Sequence, residues 1–227
     1  EELARRERMR EAAGGVTSYA TDASVTVASF ALAGRLFVAG LISGRARELV
    51  VEGPVFDPRP DPTAQRVAYV SGDVLRVASL DGSSRVVAGE DAPDVTWGSA
   101  DFIAAEEMGR HRGYWWSPDG SALAIARVDP STGDRGHIAD PASPWSAPRE
   151  VRYPAAGTPN AVVGLHVVGL DGTGTEVRWD SVAYPYLVDV RWSSAGGLVI
   201  VVQARDQREV HVLAVDPTTG ATTSRWS

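Results

Sequence analysis

A chain of 227 residues with 44% hydrophobic and 22% charged content is long enough for one large or two small cores, which excludes disorder over its whole length. It contains no cysteine and no lysine. Disulfide frameworks, thiolate metal sites, cysteine nucleophiles, Walker phosphate loops, pyridoxal Schiff bases and lysine general bases are therefore excluded, and the net charge of −7 argues against a nucleic-acid partner and favours a cationic ligand.

Residues 1–15 combine strong helix formers with opposite charges three or four apart and stop at Gly14-Gly15, which predicts a short solvated surface helix. Beyond Gly15 the texture changes to short alternating or β-branched runs broken by turn residues, the pattern of strands. Residues 16–53 hold runs at 25–30, 35–39 and 47–51, read as a four-stranded unit lacking its opening strand. Residues 54–90 hold runs at 66–70, 74–80 and 84–87, with an Asp81-Gly82 turn. Residues 91–180 hold runs at 113–116, 122–128, 164–170 and 175–179, interrupted by a Pro- and Gly-rich surface insertion over 129–162. Residues 181–227 hold runs at 188–192, 198–202, 210–215 and 221–226.

Three of these units share an aromatic residue followed by a polar turn: Phe56-Asp57-Pro58, Trp116-Ser117-Pro118-Asp119-Gly120 and Trp192-Ser193-Ser194-Ala195-Gly196. Four-strand units repeating at this scale predict an all-β partial propeller of three to four blades, with Trp116 and Trp192 packed between neighbouring blades. The chain is expected to be a fragment, an open arc whose unpaired edges favour a homodimer. Cysteine absence and the lack of a visible signal peptide favour a cytoplasmic location, and the arginine-only basic set fits a GC-rich bacterial genome. No apolar run is long enough for a membrane span, so no membrane partner is expected.

A stretch in the third unit is more specific. Asp101-Phe102-Ile103-Ala104-Ala105-Glu106-Glu107-Met108, followed by Tyr114-Trp115-Trp116-Ser117-Pro118-Asp119-Gly120, resembles the double-glutamate segment and next strand of the dipeptidyl peptidase IV N-terminal propeller, in the prolyl oligopeptidase family of serine peptidases. Downstream, Val151-Arg152-Tyr153-Pro154-Ala155-Ala156-Gly157 and Tyr186-Leu187-Val188-Asp189-Val190-Arg191-Trp192 are similar to that family's following loop and strand. The matches cover roughly residues 95–195. The resemblance implies an eight-bladed propeller and an α/β-hydrolase domain, neither of which this chain would complete by itself.

Ser99-Ala100-Asp101 offers an N-cap, and Gly109 a terminator, for a short helix carrying Glu106 and Glu107. Successive helical side chains diverge by about 100°, so two carboxylates can lean toward one ammonium. By the resemblance, this pair grips the free N-terminal amine of a peptide. Because two extended residues span about 7 Å, the grip would present the second peptide bond for removal of an X-Pro or X-Ala dipeptide. Arg110 and His111 are supporting candidates by proximity, Arg112 is a further neighbour, and no match is found near Glu52-Gly53-Pro54 for the family's carbonyl-holding arginine.

No G-x-S-x-G nucleophile elbow occurs, so no catalytic residue is assigned and the chain alone is expected to be inactive. His111, His137, His166 and His211 lack metal-ligand spacing, and neither a metal nor a cofactor is expected. The expected partners are a peptide with a free N-terminus and the remaining blades and hydrolase domain of the same protein. A non-catalytic propeller scaffold is the alternative reading.

Overall fold

The computed structural model describes residues 15–90, 92, 94–152, 155, 157–195 and 197–226. The expected N-terminal helix falls almost wholly outside them, as do Tyr153, Pro154 and Ala156 of the loop matched above.

Among the described residues four antiparallel sheets follow one another along the chain, each a path of four strands, the third with a fifth short strand on its first edge. The first contains β1 (Ala20–Thr21), β2 (Val27–Leu32), β3 (Arg35–Gly40) and β4 (Arg45–Leu49). The second contains β5 (Phe56–Pro60), β6 (Arg66–Ser71), β7 (Val74–Ser79) and β8 (Ser84–Ala88). In the third, β9 (Thr96–Trp97), a helix α1 (Phe102–Glu107) and β10 (Tyr114–Trp116) precede β11 (Ala122–Asp129). A 3-10 turn (Pro130–Thr132) and a hairpin of β12 (Arg135–Ile138) and β13 (Arg149–Arg152) then intervene before β14 (Val162–Gly169) and β15 (Gly174–Val177). The fourth contains β16 (Tyr186–Trp192), β17 (Leu198–Gln203), β18 (Val210–Val215) and β19 (Thr222–Trp226). Each sheet is a meander, as a propeller blade must be.

Period-two alternation sends successive side chains of one strand into different cores. Leu123 and Ile125 of β11 join Phe56, Val70 and Leu75 of the second blade, whereas Ala124 between them joins Leu187, Ile200 and Val202 of the fourth. A third core lies between the first two blades, where Leu36 and Leu49 meet Val67 and Tyr69. The apolar interior is thus three slabs between four blades. Hydrogen bonds stitch the slabs: Ser29 Oγ donates to Pro58 O at 2.8 Å, Trp116 Nε1 to Arg59 O at 3.2 Å, and Trp192 Nε1 to Trp115 O at 3.2 Å. The two tryptophans therefore take the interblade positions expected of them.

The structure corrects three expectations. The first unit is a complete blade: its opening strand exists but is only the two residues of β1, paired to Ser29 and Ala28, too short to register as a periodic run. In the second blade Phe56 begins the first strand instead of closing it. Ser117 N bonds Ala122 O and Gly120 N bonds Ser117 O; the same pair of bonds joins Asp61 N to Arg66 O and Ala64 N to Asp61 O. Pro60-Asp61-Pro62-Thr63-Ala64 is therefore the counterpart of the tryptophan turn, four residues beyond the place read from the aromatic residue. The first blade has the turn too, with Asp22 N to Val27 O and Val25 N to Asp22 O. Third, the opening strand of the third blade is not a single run at 113–116, because β9 and β10 both pair with β11 along one edge.

Candidate functional site

The split in that opening strand creates the site. Trp97 stands opposite Arg127 and Tyr114 opposite Ile125, while Gly98 N donates to Ala126 O at 2.9 Å and Ala126 N to Gly113 O at 2.7 Å. The chain leaves the sheet at Gly98 and re-enters at Gly113, both opposite the same residue, and residues 99–112 project from the strand. The neck is tight. Ser99 and Arg112 form an isolated antiparallel bridge, Gly98 has φ +84°, and a Cβ on Gly113 would stand 2.4 Å from the Ser99 carbonyl carbon. Only glycine fits there.

The projection carries α1. Asp101 caps it, its Oδ2 accepting from Ala104 N at 3.1 Å. Gly109, with φ +65°, closes it in the left-handed conformation, and Arg110 N donates back to Ala104 O at 2.9 Å. Ala104 is its one buried residue, so a six-residue helix holds its shape through its ends and not its propensity.

The brace is Arg110. It is 6% exposed, and its side chain donates from Nη2 to Asp101 Oδ1 at 3.0 Å, from Nη1 to Arg112 O at 2.9 Å and from Nε to Leu187 O at 3.0 Å. It therefore ties the helix cap to the neck and to the first strand of the next blade. Burial lowers its pKa, and Asp101 and Asp189 oppose that fall. Arg110 thus acts on the glutamates through the backbone that presents them. Glu106 and Glu107 occupy the last turn of α1, both exposed.

Past Glu107 lies an open groove of about 520 Å³, lined by Met108, His111, Arg112, Asp189, Arg191 and Arg59 among others. Sequence reasoning missed most of it. The signal was an Asp-x-Arg pattern on the first strands of two blades, Asp57-Pro58-Arg59 and Asp189-Val190-Arg191, which alternation sets side by side. Arg59 Nη2 pairs with Asp57 Oδ1 at 2.9 Å and Arg191 Nε with Asp189 Oδ2 at 2.7 Å. At the place of these arginines the third blade has Trp115, with the Arg112 guanidinium carbon 5.4 Å from its ring centroid. Arg112 donates from Nε and Nη2 to Tyr114 O and makes no ion-pair contact among the described residues, although Asp57 and Asp189 favour its charge from farther off. Burial first, then the neighbouring Arg59, lower its pKa to about 10. By contrast, burial works most strongly against the Arg59 charge, but Asp57 and Tyr114 together more than offset it, so the Arg59 pKa is raised.

His111 lines this groove, whereas the other histidines lie apart from it. His166 packs on Trp97 at 4.8 Å and His211 on Tyr184 at 4.3 Å, and His137 sits 3.9 Å from Glu150 on the β12–β13 hairpin. That hairpin reaches the neck region through Arg152, whose Nε meets Asp94 Oδ2 at 3.1 Å. Among the described residues no group of three or more His, Asp or Glu side chains could hold a metal ion.

Residues 29–227 match the family model described as the dipeptidyl peptidase IV (DPP IV) N-terminal region. The protein named "Probable dipeptidyl peptidase 4" from Neosartorya fischeri is 31% identical over 170 residues, 68% of this chain and 22% of that protein. Dipeptidyl aminopeptidase B of Saccharomyces cerevisiae is 24% identical over 166 residues, 68% of this chain and 20% of that one. The crystal structure of Porphyromonas gingivalis dipeptidyl peptidase 4 superposes with a TM-score of 0.79 at 20% identity, covering 96% of this chain and 33% of the other. The chain thus spans about a fifth of the length of these curated relatives.

Proposed function

This chain belongs to the dipeptidyl peptidase IV N-terminal region family, and from that premise we propose that it holds the free amino terminus of a peptide for a serine-type dipeptidyl peptidase. Glu106 and Glu107 receive the ammonium. The attacking serine comes from a hydrolase domain elsewhere in the full-length protein, and this chain by itself does not hydrolyse peptides. The observation that carries the reading is the presentation of two adjacent carboxylates on a short helix that stands out from the blade, held by a buried arginine and a glycine neck.

Such a pair suits an alkylammonium. Three N–H donors leaving water need several charged acceptors, and two carboxylates supply four oxygens. Fixing the amine also fixes how far an extended chain reaches, so the second peptide bond meets the nucleophile, and X-Pro or X-Ala dipeptides are released. The carboxylates position the substrate; they do not transfer protons.

The test uses the full-length enzyme with Glu106→Gln and Glu107→Gln. Each substitution should lower kcat/KM on free-amine X-Pro substrates by roughly two to three orders of magnitude, the usual cost of removing one partner of a desolvated charge pair. N-acetylated peptides should not be cleaved. Equal cleavage of acetylated and free peptides, or wild-type rates in both variants, would overturn the assignment.

A further inference from the structure

We propose that the groove beyond α1 is a carboxylate subsite, built around Arg112, that receives an acidic side chain on the first residue of the bound peptide. This rests on the amine-binding role of Glu106 and Glu107.

Of the cations lining the groove, Arg110 is committed to Asp101, Arg59 to Asp57 and Arg191 to Asp189. Arg112 is the guanidinium with no carboxylate in ion-pair contact among the described residues, Asp57 and Asp189 acting on it only from beyond that distance. Its Nε and Nη2 are taken up by one carbonyl, that of Tyr114, and its face by the Trp115 ring, which leaves Nη1 with no hydrogen bond to a described residue. A half-buried guanidinium held this way is short of an acceptor and is already oriented, so an incoming carboxylate gains a charge-assisted bond with little ordering cost. Arg191 is 78% exposed and can swing to the same anion, and His111 lines the same space.

Met108 and Gly109, the two residues that follow Glu107 in the chain, line the groove. The amine and the side chain of a peptide's first residue leave the same Cα, so a pocket adjoining the amine site takes that side chain. The surface therefore offers negative charge, then positive charge, along a path of a few residues. A ligand carrying an ammonium and a carboxylate on one residue complements it, as an N-terminal aspartate or glutamate does. At about 520 Å³ the groove admits either side chain.

The experiment uses the full-length enzyme with paired Glu-Pro and Gln-Pro reporter substrates, which differ in charge and hardly in shape. The expected ratio of their kcat/KM values is about ten in favour of Glu-Pro, falling toward one in Arg112→Gln and with added salt. Arg191→Gln, at an exposed position, should lower the ratio partway and keeps the test open should Arg112→Gln fail to fold. A wild-type ratio near one, or a ratio that neither arginine variant changes, overturns the subsite. If the ratio is one while Glu106→Gln and Glu107→Gln still suppress both substrates, only the subsite fails. If those two variants cleave both substrates at wild-type rates, the amine-binding reading fails and the subsite with it.

Discussion

Replacing Arg110 with methionine tests whether one buried cation holds the glutamate helix in place. The guanidinium belongs to a residue only 6% exposed and serves the Asp101 carboxylate and the carbonyls of Arg112 and Leu187. Methionine fills much of the volume but leaves Asp101, 8% exposed, without its counterion and two carbonyls without a donor. Removing one partner of a buried pair costs about 3–5 kcal/mol. For a chain of this size about 2–4 °C accompanies each kcal/mol, so Tm should fall by roughly 6–20 °C if the chain unfolds in one transition. If the projection opens ahead of the blades, the loss falls instead on residues 99–112, whose amides should exchange with deuterium faster by about two to three orders of magnitude. A double variant Arg110→Met/Asp101→Asn should lose less than the sum of the single changes, because the asparagine side chain still caps the helix while the stranded charge is gone. A Tm within about 1 °C of wild type together with wild-type exchange over 99–112 would refute the reasoning.

Other expectations follow from the turns and the neck. Gly113→Ala places a Cβ 2.4 Å from backbone atoms of Ser99, which cannot step aside, so exchange protection at Gly98 and Ala126 should be lost; retained protection would count against the neck. Ala64 sits at φ +58° in the turn where the third blade uses Gly120 at φ +70°. Ala64→Gly should therefore stabilise the chain by about 1 kcal/mol, read as a small rise in Tm, and a fall would contradict it. Asp119 accepts from the hydroxyl of Ser117 and from the backbone and hydroxyl of Ser121, which lowers its pKa from 3.8 to about 2. Its folded form binds protons less readily than its unfolded form, so its contribution is complete above about pH 4 and drains away as pH falls toward 2. Asp119→Asn should reduce Tm near neutrality and flatten the acid limb between pH 4 and 2; curves that stay parallel to wild type would rule this out.

The blades were legible because their strands alternate cleanly and their turns carry charge and glycine. Residues 198–202 and 210–215 read as strands, and they are strands, since Leu198, Ile200 and Val202 must share one slab. The second-blade turn was misplaced for a physical reason. Pro60 stands where the third and fourth blades have tryptophan, and Ala64 accepts a positive φ usually left to glycine, so both markers were missing. The β12–β13 hairpin escaped because it pairs with none of the blade sheets and none of the β12 side chains is buried, so no core imposes alternation. Glu106 and Glu107 were singled out by the resemblance of their segment to a known family, with Asp101 and Gly109 visible as caps. The Asp101–Arg110 tie was not visible, because a buried ion pair nine residues apart looks like any surface charges until the chain folds back at Gly98 and Gly113.

That fold-back frees the projection from the arithmetic of the sheet. One residue inserted in an ordinary strand turns every later side chain to the wrong face. Here the strand stops and resumes opposite Ala126, so residues can be added to or removed from 99–112, odd or even in number, while Trp97 and Tyr114 keep their partners. The segment is an exchangeable cartridge in a fixed holder. Grafts swapped between Gly98 and Gly113 should change what the protein grips and leave its blades in register.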